Sequence, residues 1–286
     1  MPRRAPRPRS AFSPTLARTV VASAAAFTAA ALTVLVPAIL APAQASAQSA
    51  VHYVALGDSY SSGLGAGSYI SSSGSCDQSS KAYPALWDAA NQPASYVSET
   101  CAGATTATVL SSQLSALSAA TTLVSITIGG NDVGFSSVME TCVLLPTSSC
   151  LSAVQHAESL TATQLPGELD SVLNAIRADA PNARVVVLDY PELYDLSRSS
   201  SCIGLSTIDR TNLNQGADQL DSQIQAAAVR HGDVFADVRN AFSGHEICDS
   251  SSWLHSVNIL DVSESYHPTA SGQSGAYYPV FSSLAG

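Results

Sequence analysis

The sequence predicts an α/β fold: a flavodoxin-like, three-layer α/β/α domain around a five-stranded parallel sheet. Three observations carry this. Apolar, β-branched runs recur at 51–56, 122–128, 184–190 and 234–238, with a weaker candidate at 95–100. Stretches with apolar residues at helical spacing lie between them. Turn residues follow several runs directly, as at Gly57, Gly129-Gly130 and Pro191. Runs without polar alternation are buried on both faces, as in a parallel sheet covered by helices. Five of them suit one doubly wound domain, whose ligands bind at the C-terminal edge of the sheet.

The elements follow in order. The first strand, 51–56, ends on Gly57-Asp58-Ser59-Tyr60-Ser61-Ser62-Gly63, and a Ser/Gly-rich loop runs through 61–80. Residues 82–90 read as a helix with Pro84 in its first turn, where a missing N–H does little harm. The second strand is expected at 95–100. Val109, Leu110, Leu114 and Leu117 give 108–117 helical spacing. The third strand, 122–128, stops at Gly129-Gly130, and a loop is expected through 142–150. Helical patterning over 151–180 is expected to break near Pro166-Gly167. After the fourth strand, 192–203 looks irregular. A long helix is expected over 207–231, then the fifth strand, a second irregular stretch over 239–263, and a closing helix from Thr269. The irregular stretches at 61–80, 192–203 and 239–263 are expected to shape any substrate pocket.

Residues 1–47 read as a cleaved secretory signal peptide. Five arginines and no acid lie within residues 1–18, an apolar run follows over 20–40, and Ala45-Ser46-Ala47 supplies a small-residue cleavage site. The apolar run is long for such a leader, but Pro37, Pro42 and the cleavage site argue against an anchor. Arg3-Arg4 fits a twin-arginine signal poorly, which points to general secretion. The remaining residues, 48–286, form a single domain of about 239 residues. They keep seven of the twelve Lys and Arg and all 22 Asp and Glu, a net charge near −15. That balance speaks against a nucleic-acid partner and against steering of anionic substrates. No second apolar run of membrane-spanning length follows, so no stable membrane insertion is expected after cleavage, and a monomer is expected.

All six cysteines lie beyond the leader, as expected of disulfides in an exported chain. Six cysteines allow 15 pairings. The sequential scheme Cys76–Cys101, Cys142–Cys150 and Cys202–Cys248 is expected. Its middle pair closes a short loop around Pro146, and the others bracket Ser-rich segments. No CxxC occurs, and His52, His156, His231, His245 and His255 lack metal-like spacing, so neither metal nor other cofactor is expected.

Four places converge at one edge of the predicted sheet. Ser59 follows the first strand, Cys101-Ala102-Gly103-Ala104-Thr105 the second and Gly129-Gly130-Asn131-Asp132 the third, and His267 precedes the closing helix. A serine hydroxyl is a weak nucleophile and needs a base within hydrogen-bond reach, a role suited to histidine. Acyl transfer passes through an oxyanion, which wants preorganised N–H donors. The N–H groups of Ser59 and Gly103 and the side chain of Asn131 can supply them. Taken singly, each block reads as an ordinary turn or helix cap. Gly57-x-Ser59-x-Ser61 is not the G-x-S-x-G elbow, which argues against an α/β-hydrolase.

The four blocks in order resemble the GDSL/SGNH hydrolase superfamily, and the resemblance spans the domain from Val51 to the closing helix. The extensions Ser61-Ser62-Gly63, Cys101-Ala102-Gly103-Ala104-Thr105 and Tyr266-His267-Pro268, with six cysteines, look like its secreted actinomycete lipases and phospholipases. The resemblance implies the SGNH fold and metal-independent ester hydrolysis. It makes Ser59 the nucleophile, His267 the base, and Ser59, Gly103 and Asn131 the oxyanion hole. Many members carry Asp three residues before the histidine, where this chain has Glu264. Either the Glu264 carboxylate or a backbone carbonyl such as that of Ser265 then orients the imidazole.

The function expected is that of a secreted serine esterase of lipase type, acting on acyl esters of glycerides or other lipids. A phospholipase A1 or a carbohydrate acetyl esterase would use the same site. A secreted binding module on a decayed hydrolase scaffold would be expected to lose one of the blocks, and all are present.

Overall fold

The computed structural model describes residues 50–198, 202 and 204–286. The leader read from residues 1–47 lies outside them. Strands β1 (His52–Gly57), β2 (Ser95–Ser98), β3 (Leu123–Thr127), β4 (Arg184–Leu188) and β5 (Val234–Ala236) form one sheet in the order β2-β1-β3-β4-β5. Every pairing is parallel, with Tyr53 opposite Tyr96 and Leu123, and Val186 opposite Val234. All strands therefore end on the same edge, and β3 is buried along its whole length.

The helices are α1 (Ser59–Ser62), α2 (Tyr83–Asn91), α3 (Thr106–Thr108), α4 (Phe135–Leu144), α5 (Thr147–Thr163), α6 (Leu165–Asp179), α7 (Thr207–His231), α8 (Arg239–Phe242), α9 (Ala270–Gly272) and α10 (Tyr278–Leu284). Pairing of α2 with α10 covers one side of the sheet, and α5, α6 and α7 pack together on the other. Among the described residues no helix is long and apolar enough to cross a membrane.

Two sequence expectations change. The loop expected through 142–150 is instead the junction of two helices, α4 and α5, joined over Pro146 and pinned by Cys142–Cys150. The helical break expected near Pro166-Gly167 falls at Gln164, two residues before Pro166, which sits in the first turn of α6 where its missing N–H is harmless. The stretch 106–116 is a composite, α3 running into π and 3-10 turns, rather than one α-helix. The six cysteines are bonded as Cys76–Cys101, Cys142–Cys150 and Cys202–Cys248.

Beneath α2 and α10 the core is aromatic. Tyr53 meets Trp87 edge-on at 5.2 Å and stacks on Phe281 at 5.5 Å, while Tyr83 stacks on Tyr277 at 5.7 Å. The buried tyrosine hydroxyls are not orphaned. Tyr53 bonds Ser125 Oγ at 2.6 Å, and Tyr83 reaches both Ser125 at 3.2 Å and Ser61 at 3.0 Å. From Ser61 the chain of hydroxyls continues through Thr127 to Asp58 and Tyr190, linking the core to the turn that carries Ser59. Buried polar groups are costly unless paired, so a satisfied chain of this kind holds one geometry.

Candidate active site at the C-terminal edge of the sheet

Gly57 ends β1 with φ +116°, and a Cβ there would lie 2.3 Å from the Thr127 carbonyl oxygen. Only glycine lets β1 turn this close to β3. The Gln113 side chain clasps the same residue, accepting from Gly57 N–H at 2.7 Å and donating to its carbonyl at 2.9 Å. Asp58 is buried. Its Oδ1 accepts from Tyr60 N–H at 3.0 Å and Thr127 Oγ1 at 2.7 Å, and its Oδ2 accepts from the Tyr190 hydroxyl. Burial pushes its carboxyl up to about 6 against these stabilising bonds. Ser59 thus opens α1 on a turn fixed from four sides.

His267 meets it there. Nε2 lies 2.7 Å from Ser59 Oγ, and Nδ1 lies 3.0 Å from the Ser265 carbonyl oxygen. A carbonyl only accepts, so Nδ1 carries the proton and Nε2 presents a lone pair to the serine hydroxyl. Burial pushes the imidazole down to about 4, which keeps it neutral near pH 7. Tyr60 packs its ring 5.2 Å from that of His267 and donates its hydroxyl to the Tyr266 carbonyl at 2.7 Å.

The second and third loops close on the same edge. Asn131 Nδ2 donates to the Ala104 carbonyl at 2.9 Å, leaving its second amide proton available. Both Asp132 carboxylate oxygens accept from Thr106 N–H, at 3.0 and 3.1 Å, and Thr106 Oγ1 adds a bond at 2.6 Å. Gly103 has φ +77° between these anchors, in the left-handed region. Among the described residues, neither the Ser59 N–H nor the Gly103 N–H donates to a protein acceptor.

One predicted residue stands elsewhere. The Glu264 carboxylate is taken up by the Tyr69 hydroxyl at 2.5 Å and Asn258 Nδ2 at 3.2 Å, not by His267. The group against His267 Nδ1 is thus the Ser265 carbonyl, the second of the two expected alternatives, and not the Glu264 carboxylate. The cause is local: Glu264 and Ser265 lie on a tight turn in which His267 N–H folds back to the Glu264 carbonyl at 3.2 Å.

An apolar cavity opens beside Ser59 and Asn131, lined by Val133, Val138, Val154, Leu213 and Leu220 among others. Its walls come from α4, α5 and α7. Of the irregular stretches expected to shape it, only Leu193 contributes; 61–80 and 239–263 do not. Sequence reasoning also missed Tyr190, which caps this cavity, ties Asp58 and accepts from Gly130 N–H at 3.2 Å. Its position at the end of a parallel strand, before Pro191, was the available signal.

A doubly wound parallel sheet with this serine, this histidine and these open N–H groups on its C-terminal edge defines a class, the acyl-ester hydrolases of the three-layer α/β/α type. Comparison with known proteins narrows it. The profile of the GDSL-like Lipase/Acylhydrolase family matches residues 55–274, and the chain belongs to that family. Lipase 1 of Streptomyces coelicolor is 55% identical over 246 residues, 86% of this chain and 91% of that protein. The crystal structure of a phospholipase A1 from Streptomyces albidoflavus is 53% identical with a TM-score of 0.80, covering 82% of this chain and 98% of that one. An extracellular lipase from Streptomyces rimosus is 49% identical with a TM-score of 0.79, covering 82% and 99%. The chain is a carboxylic ester hydrolase.

Proposed function

We propose that this chain is an exported serine lipase/esterase whose residues 1–47 are removed as a leader, and whose residues 48–286 work as one catalytic domain, as a monomer. The observation that carries the mechanism is the 2.7 Å contact of His267 Nε2 with Ser59 Oγ, backed by the 3.0 Å bond from Nδ1 to the Ser265 carbonyl. Ser59 Oγ attacks the ester carbonyl carbon as its proton passes to Nε2. The resulting oxyanion takes donors from the N–H of Ser59, the N–H of Gly103 and Asn131 Nδ2. Collapse expels the alcohol, which receives the proton from His267. Water, deprotonated in turn by His267, then attacks the acyl-enzyme and frees Ser59.

The Ser265 carbonyl does the orienting work that a carboxylate does in a full triad, holding the ring and its tautomer. It cannot stabilise the imidazolium by full charge. The preorganised oxyanion donors then carry more of the barrier reduction.

The apolar cavity beside Ser59 supports an acyl chain longer than acetyl, which favours lipid esters over acetylated carbohydrate. Phospholipase A1 activity is the second reading, favoured by the 53% identity to the Streptomyces albidoflavus phospholipase. Turnover of triolein, phosphatidylcholine and acetylated xylan separates the three. Ser59→Ala is expected to abolish ester hydrolysis with an unchanged melting temperature; retained turnover refutes the assignment. Sequencing of the exported protein is expected to read Gln48 as its first residue.

A further inference from the structure

Large apolar side chains stand in solvent on two neighbouring segments. Ile259, Leu260 and Val262 are 84%, 94% and 72% exposed, and Leu144 and Leu145 are 69% and 54% exposed. These segments meet. Val143, Leu145 and Val257 line a single recess together with Tyr266, the residue before His267. A third segment, Tyr69-Ile70, is joined to the same loop by the bond from Tyr69 to Glu264. Single exposed apolar residues are ordinary on a soluble protein, but two runs of them on segments that meet at one recess mark a contact surface.

The tip at 257–262 is built. Asn258 Oδ1 accepts from the N–H groups of Leu260 and Asp261 at 3.1 and 3.3 Å, and Asn258 N–H donates to Ser265 Oγ at 2.9 Å. Ser265 also supplies the carbonyl on His267 Nδ1. The turn that presents Ile259 and Leu260 to solvent is thus fastened to the turn that orients the imidazole. Its apolar side chains are held out before any partner arrives.

We propose that this rim is a lipid-docking surface: the 257–262 tip, with Leu144 and Leu145, inserts into the boundary between head groups and acyl chains of an uncharged or zwitterionic lipid surface. The inference rests on the ester-hydrolase reading of Ser59 and His267, since docking there brings the ester to that pair. Two arguments select this occupant. Neither contributing segment has a cation near it in sequence: no lysine or arginine occurs from 82 to 176 or after Arg239, and the tip carries Asp261, with Glu264 two residues beyond it. Docking on anionic lipid draws on clustered Lys and Arg, which are missing here. A protruding tip of three side chains is also small beside the roughly 800 Å² per partner of a stable protein interface, whereas a few apolar side chains suffice to dip into a bilayer surface.

The test uses the triple variant Ile259→Ser, Leu260→Ser, Val262→Ser, whose sites are solvent-exposed. In a Ser59→Ala background, binding to phosphatidylcholine vesicles is expected to weaken on the order of 10²-fold. With Ser59 intact, kcat/KM on a water-soluble butyrate ester is expected to stay within about twofold, while hydrolysis of emulsified triolein falls with vesicle binding. Phosphatidylglycerol vesicles are expected to bind the unsubstituted tip less well than phosphatidylcholine at low salt. Equal vesicle binding by both proteins overturns the inference. So does tighter binding to phosphatidylglycerol, or a dimer in sedimentation that the triple variant abolishes. Absence of butyrate turnover in the protein with its native tip instead sinks the Ser59–His267 reading, so the two failures are distinct.

Discussion

The Tyr60 hydroxyl donates to the backbone carbonyl of Tyr266 at 2.7 Å, and so fastens the residue after the candidate nucleophile to the residue before the candidate base. The two ends of the chain that must meet at the site are 208 positions apart in sequence, and this bond sets their spacing. Tyr266 has φ +65°, an uncommon conformation for a tyrosine, which the bond helps to hold. Tyr60→Phe keeps the ring against His267 and Tyr190 and removes only the donor. A buried acceptor left alone costs about 1–3 kcal/mol. The expected result is a fall in kcat of roughly 10-fold or more with KM little changed, measured on a soluble ester. An unchanged kcat would show that packing alone aligns the pair.

Glu264→Ala separates the two ways of orienting His267. Because the Glu264 carboxylate bonds Tyr69 and Asn258, its loss is expected to loosen the loop and cost about 10-fold or less in kcat/KM, with Tyr69→Phe behaving alike. Removal of a triad carboxylate costs on the order of 10⁴. A loss of that size would return the carboxylate to the mechanism.

The pH dependence has a definite sign. In its proposed role as base His267 works only when neutral, and burial holds its pKa to about 4. The kcat/KM profile is therefore expected to stay flat from pH 7 down to about pH 5 and to fall below that. A half-point near the ordinary histidine value, about 6.5, would contradict the buried, neutral imidazole. Stability is a poorer readout, because two groups oppose each other. Between about pH 4 and 6.5 the unfolded chain binds the His267 proton and the native one does not, so this group makes stability rise with pH. Asp58, raised to about 6, is protonated in the native state and ionised in the unfolded one over nearly the same window, so it makes stability fall.

A buried acidic pair acts across that window and above it. Asp189 and Asp221 are both buried beneath Arg239, whose Nε lies 3.6 and 3.9 Å from their Oδ2 atoms, and neither Oδ2 has a hydrogen-bond partner among the described residues. Burial first, and then mutual repulsion for Asp221, raises both carboxyls. A group whose native pKa is raised stabilises below its unfolded value and loses that contribution as pH rises through the native one. The melting temperature is thus expected to decline from about pH 5 toward pH 8. Asp221→Asn keeps the acceptor for Tyr190 N–H and removes one charge, so it should flatten that decline. An equally steep decline in the variant would assign the slope to other groups.

Much of this was legible in the primary structure, and its limits are physical. The central strands announced themselves because a strand buried on both faces must be a continuous apolar run, as in Leu123–Thr127, whereas the partly exposed β2 gave only the weaker signal at 95–100. Ser59, Gly103, Asn131 and His267 stood out because each follows a strand or precedes the last helix, and parallel strands bring those points to one edge. Helix α4 and the first turn of α5 were not legible. Phe135–Leu144 is bracketed by Gly134 and Pro146, so its flanks read as loop, and what makes it helical is packing against α5 and the Cys142–Cys150 bond. The Ser265 carbonyl was legible only as one of two alternatives, because a backbone acceptor leaves no side-chain signature. The acyl cavity was misassigned for a related reason, since its walls are the inward faces of helices whose apolar residues read as ordinary core.

One wall of that cavity gives a prediction with two separable readouts. Gly216 lies inside α7 and lines the cavity, and a Cβ there would meet Val154 Cγ1 at 3.6 Å, an ordinary contact. Glycine costs a helix interior about 0.8–1.0 kcal/mol relative to alanine. Its presence in the middle of a 25-residue helix therefore trades helix stability for space beside Val154. Gly216→Ala is expected to raise stability by roughly that amount, read by urea denaturation, with activity on short and long esters little altered. Gly216→Leu reaches further into the space an acyl chain would fill. It should shift the ratio of kcat/KM for octanoyl over butyryl esters downward by at least about 10-fold, the scale of one or two methylenes excluded from an apolar pocket. If Gly216→Leu left the chain-length profile unchanged while Gly216→Ala stabilised the fold, the acyl chain would have to leave Ser59 in another direction, toward the recess beside Tyr266.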